Sequence, residues 1–212
     1  GGNLGNYRVL DALATLAFDY PSELKNYSRR KSFFANELKH YLIFTLRQQL
    51  NPLELKGSYA GAMGLGQFMP SSYRAYAIDF DQDSRIDIWE NVVDAIGSVA
   101  NYLSRHGWRE GERIASQAVF QKNSKEDWMN EGLKPTRSAG DFFDMGFVAL
   151  DYNPSSFSLA TAMALEGKNG IEYWMGFQNF YVITRYNHSR MYALSVFELA
   201  NAIKKDLLIA DY

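Results

Sequence analysis

Five acids fall within the stretch DFDQDSRIDIWE, residues 79–90. Carboxylates this close repel: a like-charged pair ~4 Å apart costs about 4 kcal/mol at an effective dielectric of about 20. A cation removes that cost. The spacing fits a calcium loop of the EF-hand kind, which takes oxygens from its positions 1, 3, 5, 7, 9 and 12. Counted from Asp79, these are Asp79, Asp81, Asp83, the backbone carbonyl of Arg85, Asp87 and a bidentate Glu90. Ile86 is then expected to point toward the core. Hard oxygen donors suit calcium better than zinc. Ser84 departs from the pattern, because glycine usually makes the sharp turn at that position. A solvated acidic turn is the plainer alternative.

Other candidate chemistry is less self-contained. Gly57, Gly61, Gly64 and Gly66 crowd one segment beside the polar Ser58 and Gln67. No Lys-Ser/Thr pair follows the glycines, so it is not a phosphate loop. No strand and βαβ setting makes it a dinucleotide site. Tight packing explains it on residue types alone. His40, His106 and His188 show no ligand spacing with one another. Arg29-Arg30 could fork onto an anion, or simply be solvated. FQNFYVITRYNHSRMY, residues 177–192, mixes aromatics with Asn, Arg and His, which suits a wall for a hydroxyl-rich ligand as well as a core.

These groups need a scaffold. The 212 residues suit one large domain, or a domain with a small inserted lobe. A 47% hydrophobic content supplies a core, and the fourteen Tyr are expected mostly within it. A net charge of −2 gives no basic excess for general nucleic-acid binding. With no cysteine, disulfides, thiolate metal sites and a cysteine nucleophile are excluded. The longest apolar run, near Tyr41–Phe44, is far too short to span a bilayer. The start at Gly1-Gly2-Asn3 reads as a processed or trimmed product.

Periodicity predicts helices at Val9–Phe18 (Leu10, Leu13, Leu16, Ala17 inward) and Ser32–Leu50 (Phe33, Leu38, Leu42, Leu46 inward). Pro70 suits the first turn of a helix to about Ile78. Asn91–Arg105 follows, with Val92, Ile96, Val99 and Leu103 on one face. A helix from Ser189 to about Leu208 lines up Tyr192, Val196, Leu199, Ala200, Ile203 and Leu207. RIASQAVF and FFDMGFVAL read as strands, Leu159–Leu165 as strand or helix, and Gly167–Gly170 as a turn. The expected class is mainly α (α+β).

Four segments together, YRVLDALATLAFDYP, LKGSYAGAMGLGQFMPSSYRAYAIDFDQD, DAIGSVANYLSRHGW and NFYVITRYNHSRMYA, resemble the membrane-bound lytic murein transglycosylase B family. The resemblance covers most of the chain and weakens from about Gly111 to Gly170. It implies a lysozyme-like core over residues 1–110 and 155–212, with a small mixed lobe at 111–154 and a structural Ca2+ in the 79–90 loop. It implies cleavage of the β-1,4 bond between N-acetylmuramic acid and N-acetylglucosamine in peptidoglycan. One glutamate serves as acid and then base, and the sugar's own O6 closes a 1,6-anhydro ring, so no second enzymic carboxylate is needed. Such a glutamate needs a raised pKa to hold its proton at neutral pH.

By position, Ser58 and Gln67 match cleft residues that hydrogen-bond the reacting sugar and the acid. Met63 and Phe68 match an apolar floor. Tyr102 matches a tyrosine near the scissile bond. Tyr186, Asn187 and Tyr192 match the glycan-holding wall, and Arg29-Arg30 a pair near the lactyl or peptide carboxylate. The family's acid lies in a Glu-x-x-x-Gly stretch whose glycine corresponds to Gly1, so the catalytic Glu is expected just upstream. Glu37 matches a helix glutamate that is not the acid.

The resemblance further implies a bacterial periplasmic protein that acts on glycan strands and is tied to the outer membrane by a lost lipid anchor. The runner-up is a non-catalytic relative that grips peptidoglycan without cutting it. A calcium-responsive interaction protein is a third reading, and it lacks the paired loop and Met-rich groove of a sensor. Oligomeric state is open.

Overall fold

Helix α1 (Val9–Phe18) forms where the apolar period predicts, burying Val9, Ala12, Leu13 and Ala17. In the computed structural model the described residues are 4–121 and 127–210, with side chains described to 207. Gly1, and with it the expected approach to a catalytic Glu, lies outside them. Two compact units divide the chain, Gly1–Tyr102 and Leu103–Tyr212.

In the first unit, strands β1 (Tyr7–Arg8) and β2 (Lys56–Gly57) pair antiparallel, with Tyr7 opposite Gly57. Helix α2 (Tyr27–Arg47) buries Phe34, Glu37, Tyr41, Phe44 and Thr45. This corrects the expected face: Phe33, Leu42 and Leu46 are exposed, Leu46 by 79%. The buried stripe carries polar atoms that hydropathy scores as outward. The Tyr41 hydroxyl donates to the Pro52 carbonyl (2.7 Å) and the Thr45 hydroxyl to the Leu42 carbonyl (3.2 Å). Phe44 packs against Tyr73 and Trp89 at centroid distances of 4.4 and 5.8 Å.

Helix α3 (Pro70–Tyr76) has proline in its first turn, where a missing N–H costs nothing. Helix α4 (Val92–Arg105) also turns an unexpected face inward: Asp94, Ala95, Gly97, Ser98 and Tyr102 are buried. Val92 is exposed, and Ile96 is exposed by 64%. The cause is hydrogen bonding to the preceding loop. Ser98 Oγ accepts from Ile78 N (3.0 Å), and Asn101 Nδ2 donates to the Tyr76 carbonyl (2.8 Å). Gly97 leaves room for the Phe80 ring, since a Cβ there would lie 2.4 Å from the Phe80 Cγ.

The second unit is built on strands β3 (Ala115–Phe120), β4 (Arg137–Ser138), β5 (Phe147–Ala149), β6 (Leu159–Gly167) and β7 (Gly170–Gly176). They form an antiparallel sheet in the order β4-β6-β7-β3-β5. The sheet therefore draws residues from both sides of position 154. Successive side chains on a strand face opposite ways. Ala162 and Met175 join Phe120, Trp128, Phe142 and Phe147 on one side, while Met163 and Trp174 join Phe180, Ile183, Ala193 and Leu194 on the other. The ambiguous Leu159–Leu165 segment is strand. FFDMGFVAL is not one strand: helix α5 (Ala139–Asp144), closed by a Ser138/Asp141 capping box, precedes β5.

Helices α6 (Gln178–Tyr186) and α7 (Arg190–Ala210) complete the unit. The first turns of α7 pack on the sheet, through Ala193 and Leu194 with Tyr192 and Phe197 partly buried. The expected stripe is corrected accordingly: Val196, Leu199, Ile203 and Leu207 are exposed.

Candidate functional site

The glycine-rich segment of the first unit is a tight hairpin. Met63 and Phe68 exchange backbone hydrogen bonds of 2.8 and 2.9 Å, and Met63 also bridges Gly57. Gly64 takes φ +66°, and a Cβ there would meet the Ile88 carbonyl oxygen at 2.6 Å. Leu65 N donates to that same carbonyl (2.8 Å), so the hairpin is tied to the acidic loop by its backbone.

Ser58 Oγ accepts from the N–H groups of Ala60 (3.3 Å) and Ala62 (3.0 Å), leaving its own O–H to donate. Gln67, at φ +49°, donates its amide to the carbonyls of Leu4 (3.2 Å) and Gly64 (3.0 Å), leaving its carbonyl oxygen to accept. Met63 and Phe68 of the same hairpin are buried, and the Phe68 ring lies 5.9 Å from that of Tyr102, itself buried on α4. Ser58, Met63, Gln67, Phe68 and Tyr102 thus belong to one unit, with Met63, Phe68 and Tyr102 buried and Ser58 and Gln67 half-buried. Beside Ser58 a hollow of about 480 Å³ is lined by Gly5, Asn6, Tyr7 and Tyr59. Residue spacing does not single out the exposed rings of Tyr7 and Tyr59. The adjacency of Tyr59 to Ser58 was the available signal.

Arg29 and Arg30 lie exposed near the start of α2. In the second unit, Tyr186 ends α6, Asn187 follows it exposed, and Tyr192 sits in the first turn of α7, whose start is held by Ser189 Oγ accepting from Tyr192 N (3.2 Å). Burial pushes the Tyr192 hydroxyl pKa up.

In the acidic loop, carboxylate oxygens of Asp79, Asp81 and Asp83 lie within 4.8 Å of one another. Among the described residues none of the three forms an ion pair. Asp79 accepts from Asp83 N (3.1 Å) and Ser84 N (2.8 Å), and Asp83 from Arg85 N (2.8 Å). Ser84 takes φ +72°, doing glycine's part of the turn. The donor set is all oxygen and concentrated in negative charge, which fits a hard divalent cation. Asp87 and Glu90 are not in that converging group. Asp87 Oδ1 accepts from Trp89 N (2.8 Å) and Glu90 N (3.0 Å), and Glu90 is exposed. Ile86 is half-buried, and its carbonyl accepts from the Tyr73 hydroxyl (3.0 Å).

Two residues that shape this loop lie beyond its twelve-residue frame. Asp94, fully buried, accepts from Phe80 N (2.8 Å) and Asp87 N (2.9 Å), one bond to each of its oxygens. Asn91 donates to Asp81 Oδ2 (2.8 Å) and caps α4 by accepting from Val93 N (3.0 Å).

Comparison with known proteins gives a consistent result. The family described as Transglycosylase SLT domain matches residues 1–201. The chain is 43% identical over 203 residues to membrane-bound lytic murein transglycosylase B of Escherichia coli (strain K12), covering 96% of this chain and 53% of the relative. Among solved structures, the catenated lytic transglycosylase SltB1 from Pseudomonas aeruginosa is 50% identical, with a TM-score of 0.88 over 97% of this chain and 65% of that one. The Escherichia coli lytic transglycosylase Slt35 in complex with calcium is 43% identical, with a TM-score of 0.82 over 96% and 61%. The chain therefore spans about half the length of the curated relative it matches.

Proposed function

We propose, from the premise that this chain belongs to the Transglycosylase SLT domain family, that its protein is a peptidoglycan lytic transglycosylase. It cleaves the β-1,4 bond between N-acetylmuramic acid and N-acetylglucosamine and leaves a 1,6-anhydromuramic end. The observation that carries this reading is the hairpin that fixes Ser58 and Gln67 by hydrogen bonds and buries Met63 and Phe68, within a chain matched along residues 1–201.

The chemistry assigned to these residues is positioning. Ser58 donates its free O–H, and Gln67 offers its free carbonyl, to the reacting sugar and the acid. Met63 and Phe68 form the floor, and Tyr102 lies near the scissile bond. Tyr186, Asn187 and Tyr192 hold the glycan, and Arg29 and Arg30 face its carboxylates. The acid/base glutamate is assigned to the position four residues before Gly1, as in the family pattern. It protonates the leaving oxygen and then withdraws the proton from O6 as O6 attacks C1. Glu37 is not a candidate, because both of its oxygens already accept from Ser71.

The 79–90 loop is assigned a structural calcium held by Asp79, Asp81, Asp83, the Arg85 carbonyl, Asp87 and Glu90. The converging oxygens of the first three and the calcium complex of Slt35 support this. The ion supplies charge compensation and takes no part in bond cleavage. The protein is placed in the bacterial periplasm at the outer membrane, in keeping with its membrane-bound relative. No helix among the described residues is long and apolar enough to cross a membrane.

The test is digestion of purified sacculi by the full-length protein, with soluble products weighed by mass spectrometry. Anhydromuropeptides are expected. Reducing-end muramic acid would make the protein a hydrolase, and binding without release would make it a glycan-gripping relative.

A further inference from the structure

Residues 4–9 are stitched to the glycine-rich hairpin. Tyr7 stands opposite Gly57 in the β1–β2 pair, Val9 N donates to the Leu55 carbonyl (3.0 Å), and the Gln67 amide reaches the Leu4 carbonyl (3.2 Å). This pairing brings Tyr7 to Ser58 and Tyr59, which follow Gly57, and the three share one hollow with Gly5 and Asn6. At about 480 Å³ the hollow has the size of an ordinary small-molecule site, about 300–1,000 Å³. Tyr7 is 60% exposed and Tyr59 74%. Among the described residues neither ring stacks on another and neither hydroxyl makes a hydrogen bond. Core packing therefore accounts for neither side chain, and two rings left in water beside a hollow gain free energy when a ligand covers them.

The lining also selects among sugars. None of the five residues is charged: the hollow offers two aromatic rings, the Asn6 side-chain amide and the Ser58 hydroxyl. That hydroxyl is free to donate, because its oxygen already accepts from Ala60 and Ala62. A pyranose presents C–H groups on its faces and polar groups at its edge, which suits rings with a few placed hydrogen-bonding groups. N-acetylglucosamine is neutral and loses little on entering. N-acetylmuramic acid carries a lactyl group that ends in a carboxylate or a peptide branch, and no cation lines the hollow to meet that charge.

We propose that Tyr7 and Tyr59 flank one N-acetylglucosamine residue of the glycan and make this hollow a subsite that admits the neutral sugar and refuses its lactyl-bearing neighbour. The inference rests on the glycan-cleaving reading and deepens it. The two sugars alternate along a strand, so a subsite that accepts only one of them sets the register and decides which β-1,4 bond lies beside Ser58.

The test titrates the full-length protein with tri-N-acetylchitotriose, a neutral N-acetylglucosamine oligomer, by calorimetry. Binding is expected. Tyr7→Ala and Tyr59→Ala should each weaken it about fivefold to tenfold, whereas Tyr7→Phe and Tyr59→Phe, which keep the ring, should stay within about twofold. Both side chains are exposed, so the Tm should not move. On soluble glycan strands the alanine variants should raise KM with little change in kcat, the mark of lost binding and not of lost chemistry. N-acetylglucosamine should shift the ring signals of Tyr7 and Tyr59 in NMR spectra, and N-acetylmuramic acid at the same concentration should not. Absent chitotriose binding, equal shifts from the two sugars, or unchanged affinity in the double alanine variant would overturn the proposal. Digestion of sacculi separates the two readings: tyrosine-dependent sugar binding without cleavage sinks only the transglycosylase, whereas cleavage with tyrosine-independent binding sinks only the subsite.

Discussion

Glu37, buried in α2, accepts from both the backbone N–H (2.8 Å) and the hydroxyl (2.7 Å) of Ser71 in the first turn of α3. Thirty-four residues apart in sequence, the two join the helices across the core of the first unit. The carboxylate meets orphan donors at a helix start, where negative charge is favoured. Glu37→Ala leaves both half-buried Ser71 donors without this partner, so a loss of about 1–3 kcal/mol is expected in denaturant unfolding. Glu37→Gln should lose less stability and still release anhydromuropeptides at low temperature. Complete loss of release in a folded Glu37→Gln would make Glu37 the catalytic acid.

Tyr41 gives a pH dependence. Burial first, and then the charge of Asp11, push its hydroxyl pKa from 10.0 up to about 12. The folded state therefore keeps this proton at pH values where the unfolded state has released it. Its contribution is complete below about pH 10 and is lost as pH rises toward 12. At about 1.4 kcal/mol per unit, the loss reaches about 2–3 kcal/mol. Tyr41→Phe also removes the bond to the Pro52 carbonyl. It should be about 1–2 kcal/mol less stable at pH 7 and show a shallower fall of Tm between pH 10 and 12. Parallel curves for the two proteins would contradict this account.

The acidic loop predicts opposite responses to chelation and to glycine. Saturation at about 100 times Kd should add about 2.7 kcal/mol, so chelator should lower the Tm and calcium restore it. Ser84→Gly keeps the N–H that binds Asp79 and removes a Cβ from a left-handed turn. A gain of about 0.5–1 kcal/mol and tighter calcium binding are expected. A melt indifferent to both metal and chelator would return the loop to a solvated turn.

Tyr102→Phe and Gln67→Ala separate positioning from packing. Phenylalanine preserves the ring contacts of Tyr102 with Phe68 and Tyr76 at 5.9 and 4.8 Å. Its stability should shift by less than about 1 kcal/mol, while turnover on sacculi falls tenfold or more, an effect of about 1.4 kcal/mol on the barrier. Gln67→Ala loses bonds to Leu4 and Gly64, so a stability loss of about 1 kcal/mol should accompany a larger loss of turnover. If stability and turnover fell in proportion, both residues would belong to the packing alone.

Hydropathy read the elements better than their orientation. The limits of α1 follow from its apolar period, and α4 and α7 lie close to the expected ranges. The inward faces of α2 and α4 were not legible, because Glu37, Asp94 and Ser98 point inward to hydrogen-bond partners outside their own helices, and Thr45 satisfies its hydroxyl on the Leu42 carbonyl one turn back. Chain spacing carried the triad at Asp79, Asp81 and Asp83, since a short loop positions its own carboxylates. It could not carry Asp94, whose role depends on how α4 folds back on that loop. The β6–β7 hairpin was half-legible: the turn at Gly167–Gly170 was clear, but a run of Ala, Met and Leu fits helix and strand alike.

One aspartate closes the acidic loop from outside it. Because Asp94 grips the backbone at Phe80 and at Asp87, the cradle keeps its curvature by its own means. A divalent ion entering there would find three carboxylates already converged, on a loop whose backbone is tied to the hairpin that carries Ser58 through Leu65 and Ile88.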